Sequence, residues 1–369
     1  MTAYVASWGI IGCGWISSMF VKDICVQRDG DSEVLHSIVA VGSRDQIKAQ
    51  RFIEDFCPDG GPAQVRNGDV PKPLACGSYE QVFNHKGVNI IYIGTLNSGH
   101  YSDAKAALLA GKHVLVEKPA CLNAAEWKDL VGIATQKKLF LPLTYELQHQ
   151  LFDKQVIGDV KHVQANFSMA FYHNVPDSHR NFALDTGGGV MYDLGPYTVM
   201  CALLALFHNP KNGKSKPENV VGHMIKAPTG VDISTTISMD FPKLEATALL
   251  TASFAYNSPK DERCVIIGTK GEIVLNDGLS RLTKMTIKQY DQEPTFRPTR
   301  WKPSEVVERP LPGFGLMFEA DAVAKSVRYG ELQNSRMPHD ETTLVLQIFD
   351  KVRQENGHVL PKGTKKVVT

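Results

Sequence analysis

Trp8-Gly9-Ile10-Ile11-Gly12-Cys13-Gly14-Trp15-Ile16-Ser17 decides the fold of this 369-residue chain. A short apolar run, Trp8–Ile11, meets two glycines and then a helix-forming stretch. The pattern is GxGxxG with Ser17 in the third glycine position. The first glycine of such a turn permits a sharp reversal, and the second lets a pyrophosphate approach the backbone. The third packs helix against strand, and Ser is a small substitute. A helix N-terminus behind the turn favours negative charge. Gly12, Gly14, Trp15 and Ile16 are therefore the expected dinucleotide contacts. A plain glycine turn would use the same residues, and the strand–turn–helix context decides for the nucleotide.

The next strand, Ser37–Val41, ends in Gly42-Ser43-Arg44-Asp45. An acid at this point would hold the ribose hydroxyls of NAD. Ser43 and Arg44 instead suit a 2′-phosphate, so the expected cofactor is NADP rather than NAD. The bland alternative is a solvated Arg44 with Asp45 capping the following helix.

Outward from this unit, Val88–Gly94, His113–Val116 and Leu139–Leu143 read as buried strands. Ser102–Ala110 and Asn123–Gln136 read as helices, with Asn123 and Glu126 placed as an N-cap pair. Alternating β and α predicts a parallel sheet covered by helices, an α/β Rossmann domain over residues 1–145. Beyond it the period changes to two. Val163, Ala165, Phe167, Met169 and Phe171 alternate with more polar neighbours, as do Ile233, Thr235, Ile237, Met239 and Phe241. Leu244–Tyr256 and Cys264–Gly268 follow, and Thr269-Lys270-Gly271 leads into Glu272–Leu275 as a hairpin. Helices are expected at Val190–Phe207, Phe318–Arg328 and Glu341–Gln354. Residues 146–369 thus read as an α+β domain with an open, mostly antiparallel sheet. Cys57–Ala75 and Asn209–Pro217 read as surface loops.

Forty basic and thirty-nine acidic residues leave a net charge of +1. No global field is available for nucleic acid or an anionic membrane. Apolar runs such as Val199–Phe207 are far shorter than the roughly 20 residues of a bilayer span. The seven cysteines are widely spaced without CxxC, which suits reduced thiols and a cytoplasmic setting. The twelve histidines show no HExxH or HxxxH spacing, so no metal is expected.

Two further clusters carry chemistry. Glu117-Lys118-Pro119 stands at the end of the His113–Val116 strand, where α/β sheets bind ligands. Lys118 could donate a hydrogen bond or a proton there, or simply snorkel to solvent. Gly187-Gly188-Gly189 precedes Val190-Met191-Tyr192-Asp193-Leu194-Gly195-Pro196-Tyr197. Asp193 and Tyr197 are four apart, which on one helix gives a shared face. A carboxylate and a phenol so placed could orient a hydroxyl and take its proton; a buried structural tyrosine is the plain alternative.

Together these residues resemble the glucose–fructose oxidoreductase/inositol dehydrogenase (Gfo/Idh/MocA) family over nearly the whole chain. The resemblance rests on the Gly12/Gly14 turn, Thr95-Leu96-Asn97-Ser98-Gly99-His100, Glu117-Lys118-Pro119 and the Gly187–Tyr197 segment. Trp8-Gly9-Ile10-Ile11, Gly77-Ser78-Tyr79, Gly230-Val231-Asp232 and Gly268-Thr269-Lys270-Gly271 are most similar to the dimeric dihydrodiol dehydrogenase and NADP-dependent D-xylose 1-dehydrogenase branch. The resemblance implies hydride transfer between nicotinamide and a sugar, cyclic polyol or dihydrodiol carbon. It implies that Lys118 binds or protonates the reacting oxygen, that Tyr197 is the general acid/base, and that Asp193 orients substrate or Tyr197. Thr95, Asn97, His100, Glu117 and Lys118 would line the cofactor cleft, and the C-terminal sheet would form a homodimer interface. One departure bears on the substrate. The connection from Leu143-Thr144-Tyr145-Glu146 through Leu147–Ile157 to Gly158-Asp159-Val160 is several residues shorter than in this branch and lacks its aromatic- and Arg-containing motif. A tailoring reductase of a larger carbonyl or imine, or a non-catalytic NADP-binding regulator, are the alternatives this leaves.

Overall fold

The computed structural model describes residues 3–26, 33–61, 72–134, 147–276, 278–292, 300–331, 333 and 338–364. The chain divides into two compact units. The first takes Met1–Phe140, Leu311–Thr343 and Thr364–Thr369; the second takes Leu141–Pro310 and Leu344–Gly363.

In the first unit, β1 (Tyr4–Ile11), β2 (Val34–Gly42), β3 (Leu74–Cys76), β4 (Ile90–Ile93) and β5 (His113–Val116) form a parallel sheet of order β3-β2-β1-β4-β5. Helices α1 (Trp15–Ile24), α2 (Gln46–Phe56), α3 (Tyr79–Phe83), α4 (His100–Leu109) and α5 (Ala124–Ala134) connect or follow the strands. The order reverses between β1 and β4, which is where doubly wound sheets open a crevice for a ligand. The strands are apolar on both faces because helices cover both. Trp8, Ile10, Ile38 and Ile90 are fully buried. β3 overlaps the end of the stretch Cys57–Ala75 expected to be loop, whose residues 62–71 are outside the described ones, as is the expected strand Leu139–Leu143.

The return of Leu311–Thr343 to this unit departs from the expected single C-terminal domain of 146–369. Its physical cause is burial. Ala320, Val323 and Ala324 of α8 (Leu316–Arg328) join the core cluster of Trp8, Ile10 and Phe20. The Trp8 indole N–H donates to His36 Nδ1 at 3.1 Å, and His36 Nε2 meets Asp321 Oδ1 at 2.8 Å.

The second unit holds an eight-stranded sheet of order β13-β12-β11-β10-β6-β9-β8-β7. Its strands are β6 (Val160–Ser168), β7 (Glu218–Lys226), β8 (Asp232–Phe241), β9 (Ala246–Ser253), β10 (Cys264–Gly268), β11 (Gly271–Leu275), β12 (Lys284–Gln289) and β13 (Glu305–Glu308). Among the described strands of this sheet, only β6 and β9 pair in parallel. The expected hairpin is present: Gly268 pairs with Gly271 across Thr269-Lys270. On β8, Thr235, Ile237, Met239 and Phe241 are buried while Ser238 between them is exposed, the period-two pattern of a half-buried strand. The helical run of this unit, α6 (Val190–Asp193) then α7 (Gly195–Ala202), packs against β6, β8 and β9. By length and composition Leu184–Phe207 is apolar enough to cross a membrane, but 72% of its most apolar window is buried, as befits a core helix. The last helix, α9, spans His339–Glu355.

Candidate active site

The turn after β1 shows why its residues are what they are. Gly12 has φ +87°, and a Cβ there would stand 2.5 Å from the Gly94 carbonyl oxygen at the end of β4. The two loops of the switch point therefore touch, and only glycine fits. Gly14 has no such neighbour; the nearest atom to its Cβ position would be 3.9 Å away. The chain itself brings nothing closer than ordinary contact to Gly14, which leaves the approach a pyrophosphate needs. Gly14 is the N-cap of α1, and no side chain caps that terminus. The free N–H groups at its first turn are a ready anion site.

Ser17 explains its own departure from the fingerprint. A Cβ on Gly94 would lie 2.2 Å from Ser17 Oγ. The space usually freed by a third glycine is freed here by Gly94, across the contact. The Ser17 hydroxyl is fully buried and has no hydrogen-bond partner. Cys13, between the two glycines, has its thiol pushed up to about 11, mainly by burial, with Lys48 opposing. It is no ready thiolate nucleophile at neutral pH.

At the end of β2, Ser43 is buried and Arg44 is exposed. The Asp45 carboxylate accepts the Ile47 N–H at 2.9 Å and so caps α2. The alternative reading expects the same cap; the exposed Arg44 beside it stands open to whatever occupies the ribose 2′ position. Asp103, on α4, accepts the Thr95 hydroxyl proton at 2.7 Å. Burial raises the Asp103 carboxyl, while the Thr95 hydrogen bond and the Arg44 charge pull it back. Burial also raises the Tyr79 phenol, with Asp103 adding to it and Arg44 opposing. Thr95, Arg44, Asp103 and Tyr79 thus belong to one electrostatic neighbourhood; the sequence assigns the first two to the site, places Tyr79 only in a resembling motif, and leaves Asp103 unmarked. These glycines, the uncapped helix and the basic strand end fit a phosphorylated dinucleotide.

The other expected cleft residues divide. Asn97 is half-buried in a single turn, Asn97–Gly99. His100 is 1% exposed, and its ring spans two loops, with Nδ1 2.7 Å from the Pro119 carbonyl and Nε2 3.2 Å from that of Thr95. It ties the loop after β4 to the loop after β5, so its contribution is to hold the cleft rather than to line it. Glu117 accepts the Tyr92 hydroxyl at 2.7 Å and the Lys118 N–H at 3.3 Å. Tyr92 is buried and stacked on Phe20 at 3.9 Å, so Glu117 anchors the segment in the core. Lys118 is half-buried, and its peptide bond to Pro119 is cis.

In the second unit, Asp193 and Tyr197 are half-buried. The expected uninterrupted helix Val190–Phe207 breaks at Leu194, where α6 ends and α7 begins with Pro196 in its first turn. The two residues therefore stand on successive short helices. Asn181 donates from Nδ2 to Asp193 Oδ2 at 3.0 Å. The Tyr197 ring meets Phe167 of β6 edge to face at 5.4 Å.

Two of the three glycines before α6, Gly188 and Gly189, serve close packing. A Cβ on Gly188 would lie 2.7 Å from the Arg180 and Asn181 carbonyls, and one on Gly189, φ +120°, 2.1 Å from Asp232 Oδ1. Asp232 is wholly buried; its Oδ2 accepts the Met191 N–H at 2.8 Å and the Thr235 hydroxyl at 2.5 Å. This carboxylate holds the first turn of the helix that ends in Asp193. Asp232 and Asn181 went unassigned in the sequence, although Gly230-Val231-Asp232 stood among the resembling motifs. Among the described residues no group of three or more His, Cys, Asp or Glu could hold a metal ion.

Turn, open helix N-terminus and strand order define a dinucleotide-binding Rossmann protein. Comparison with known proteins gives the family. A GFO/IDH/MocA family model, the oxidoreductase family with NAD-binding Rossmann fold, matches residues 6–145, and the GFO/IDH/MocA C-terminal domain matches residues 145–274. The chain belongs to the GFO/IDH/MocA oxidoreductases. It is 28% identical to the D-xylose 1-dehydrogenase (NADP(+)) of Hypocrea jecorina, covering 97% of this chain and 94% of that one. It is 30% identical to the trans-1,2-dihydrobenzene-1,2-diol dehydrogenase of Homo sapiens, covering 97% and 99%. A 3-ketoreductase from Actinomadura kijaniata, solved in complex with NADP and TDP-benzene, shares the fold at a TM-score of 0.72 with 20% identity, covering 95% and 97%.

Proposed function

We propose that this oxidoreductase uses NADP to move a hydride between nicotinamide and a CH–OH carbon of a sugar, cyclic polyol or trans-dihydrodiol. The observation that carries the cofactor assignment is the near-full-length similarity to an NADP-dependent D-xylose 1-dehydrogenase, with the exposed Arg44 at the end of β2 as the group that would meet the 2′-phosphate. The near-full-length similarity to an NADP-dependent xylose dehydrogenase and a dihydrodiol dehydrogenase supports the substrate class.

NADP supplies the hydride acceptor or donor at its nicotinamide ring. The chain supplies phosphate contacts from the first turn of α1, and 2′ recognition from Ser43 and Arg44. Lys118, at the carboxyl end of β5, donates a hydrogen bond to the reacting oxygen. Tyr197 takes the hydroxyl proton in oxidation and returns it in reduction. Asp193, held by Asn181, orients the hydroxyl. A substrate panel of pentoses, hexoses, polyols and dihydrodiols, followed by NADPH absorbance in both directions with NAD as control, tests the reading. Turnover with NADP is expected; a preference for NAD, or no turnover anywhere, would overturn it.

We further propose a cytoplasmic homodimer joined through the polar face of the C-terminal sheet. The seven free cysteines suit a reducing compartment. Leu249, 39% exposed and paired across strands with Ser238, gives the face apolar surface to cover. Sedimentation of wild type against Leu249→Lys tests the interface; an unchanged dimer in the variant would reject it.

A further inference from the structure

Trp15 and Phe314 are left in solvent although each carries a large apolar ring. Trp15 is 66% exposed and Phe314 is 42% exposed, and the rings meet edge to face at 5.6 Å. Such rings ordinarily bury most of their surface. Their position makes the exposure informative. Trp15 is the first residue of α1, the turn whose N–H groups would hold the pyrophosphate.

Phe314 is presented to Trp15 by a built support. Asp23, on α1 and 3% exposed, accepts the Phe314 N–H at 2.9 Å and the Leu316 N–H at 2.9 Å through Oδ2. Gly313 has φ +57°, and a Cβ there would meet Asp23 Oδ1 at 2.1 Å. One helix thus supplies the open N-terminus, the exposed indole, and the carboxylate that fastens the loop bearing the second ring. A buried carboxylate, and a glycine whose replacement would displace it, are a large investment for a surface loop. They are explained if the loop must stand where it does.

Resting on the reading of the first unit as an NADP site, we propose that Trp15 and Phe314 form an aromatic clasp beside the bound pyrophosphate that slows release of NADP(H). The rings shield the charged hydrogen bonds at the first turn of α1 from water, where lower local dielectric strengthens them. They are positioning residues and touch no reacting atom.

The test follows NADPH dissociation in the full chain by stopped flow, displacing NADPH with excess NADP and reading both NADPH fluorescence and energy transfer from tryptophan. Phe314→Ala and Trp15→Ala are expected to raise the dissociation rate about tenfold, the scale of one lost aromatic contact, with association changed less than about twofold. Trp15→Phe keeps a ring, so it should dissociate near the wild-type rate while losing transfer signal; Phe314→Leu should fall between. Circular dichroism and thermal melts confirm folding. Folded alanine variants that release NADPH at the wild-type rate would overturn the clasp alone. Wild type that binds no NADPH would overturn both the clasp and the cofactor assignment.

Discussion

Asp232 Oδ2 accepts the Met191 N–H at 2.8 Å, and its other oxygen occupies the space that a side chain on Gly189 would need. The start of α6 is therefore fitted to a carboxylate from the neighbouring strand. Gly189→Ala adds a methyl 2.1 Å from Oδ1 at a φ of +120°. Backbone strain and overpacking together should cost roughly 2–4 kcal/mol. Urea unfolding checks this, and a loss below about 0.5 kcal/mol would mean that Asp232 moves aside freely.

The same carboxylate gives a pH prediction. Burial raises Asp232 to about 6, with hydrogen bonds from Thr235 and Met191 opposing. His358, whose Nε2 is 3.8 Å from Asp232 Oδ1, is lowered to about 4 by burial, with Lys226 and Arg353 adding to the shift. Asp232, with a raised folded pKa, makes stability fall as pH rises from about 4 to about 6. His358, with a depressed one, makes stability fall as pH drops from about 6.5 to about 4. The slopes oppose each other in wild type. Asp232→Asn removes the first, so the variant should lose stability on acidification more steeply than wild type, by up to about 3 kcal/mol across that window. Denaturant melts from pH 4 to 7 test this; parallel curves for the two proteins would refute it.

Lys118→Ala and Tyr197→Phe should each lower turnover by at least about tenfold, the lower end of a lost proton-handling group. The NADPH dissociation constant should stay within about threefold, because neither side chain is assigned to the phosphates. Steady-state kinetics with direct cofactor titration separates the effects. Wild-type turnover in both variants would remove these residues from the chemistry.

The parts of this molecule legible in the sequence are those whose physics is local. The Gly12/Gly14 turn, the two-residue turn at Thr269-Lys270 and the alternation along β8 depend on neighbours a few residues away. The return of α8 depends on His36 meeting Asp321, 285 positions later, and no periodicity reveals that. The role of Asp232 is hidden for a similar reason. A lone acid after Gly230-Val231 reads as a turn until β8 places it under Gly189. The break at Leu194 is the reverse case. Gly195-Pro196 was in plain view, but the apolar run around it reads as one helix. Of the short connection from Leu143 to Val160, residues 143–146 lie outside the described residues, and the rest leads through a helical turn at His149–Asp153 into β6.

Arg44→Ala should weaken NADP binding about tenfold or more while changing NAD binding little. The guanidinium meets only the 2′-phosphate in this assignment, and a charged contact of that kind is worth upwards of about 1.5 kcal/mol. Calorimetric titration with both cofactors reads the difference. Equal losses would show that Arg44 serves the common part of the dinucleotide or its own domain.

Ser17 and Gly94 should behave as a coupled pair. Gly94→Ala places a methyl 2.2 Å from Ser17 Oγ, in the switch-point contact that shapes the cofactor turn. Alone it should destabilise the first unit by roughly 1–3 kcal/mol and impair NADPH binding. Ser17→Gly should be nearly neutral: it loses a hydroxyl that is buried without a partner, which offsets the entropy cost of the added glycine. In the double variant the methyl enters the space the serine vacates, so part of the stability and of the NADPH affinity should return. A double-mutant cycle measures the coupling. Strict additivity would show that the serine does not occupy the place of the missing third glycine, and that Gly94 is required for Gly12 alone.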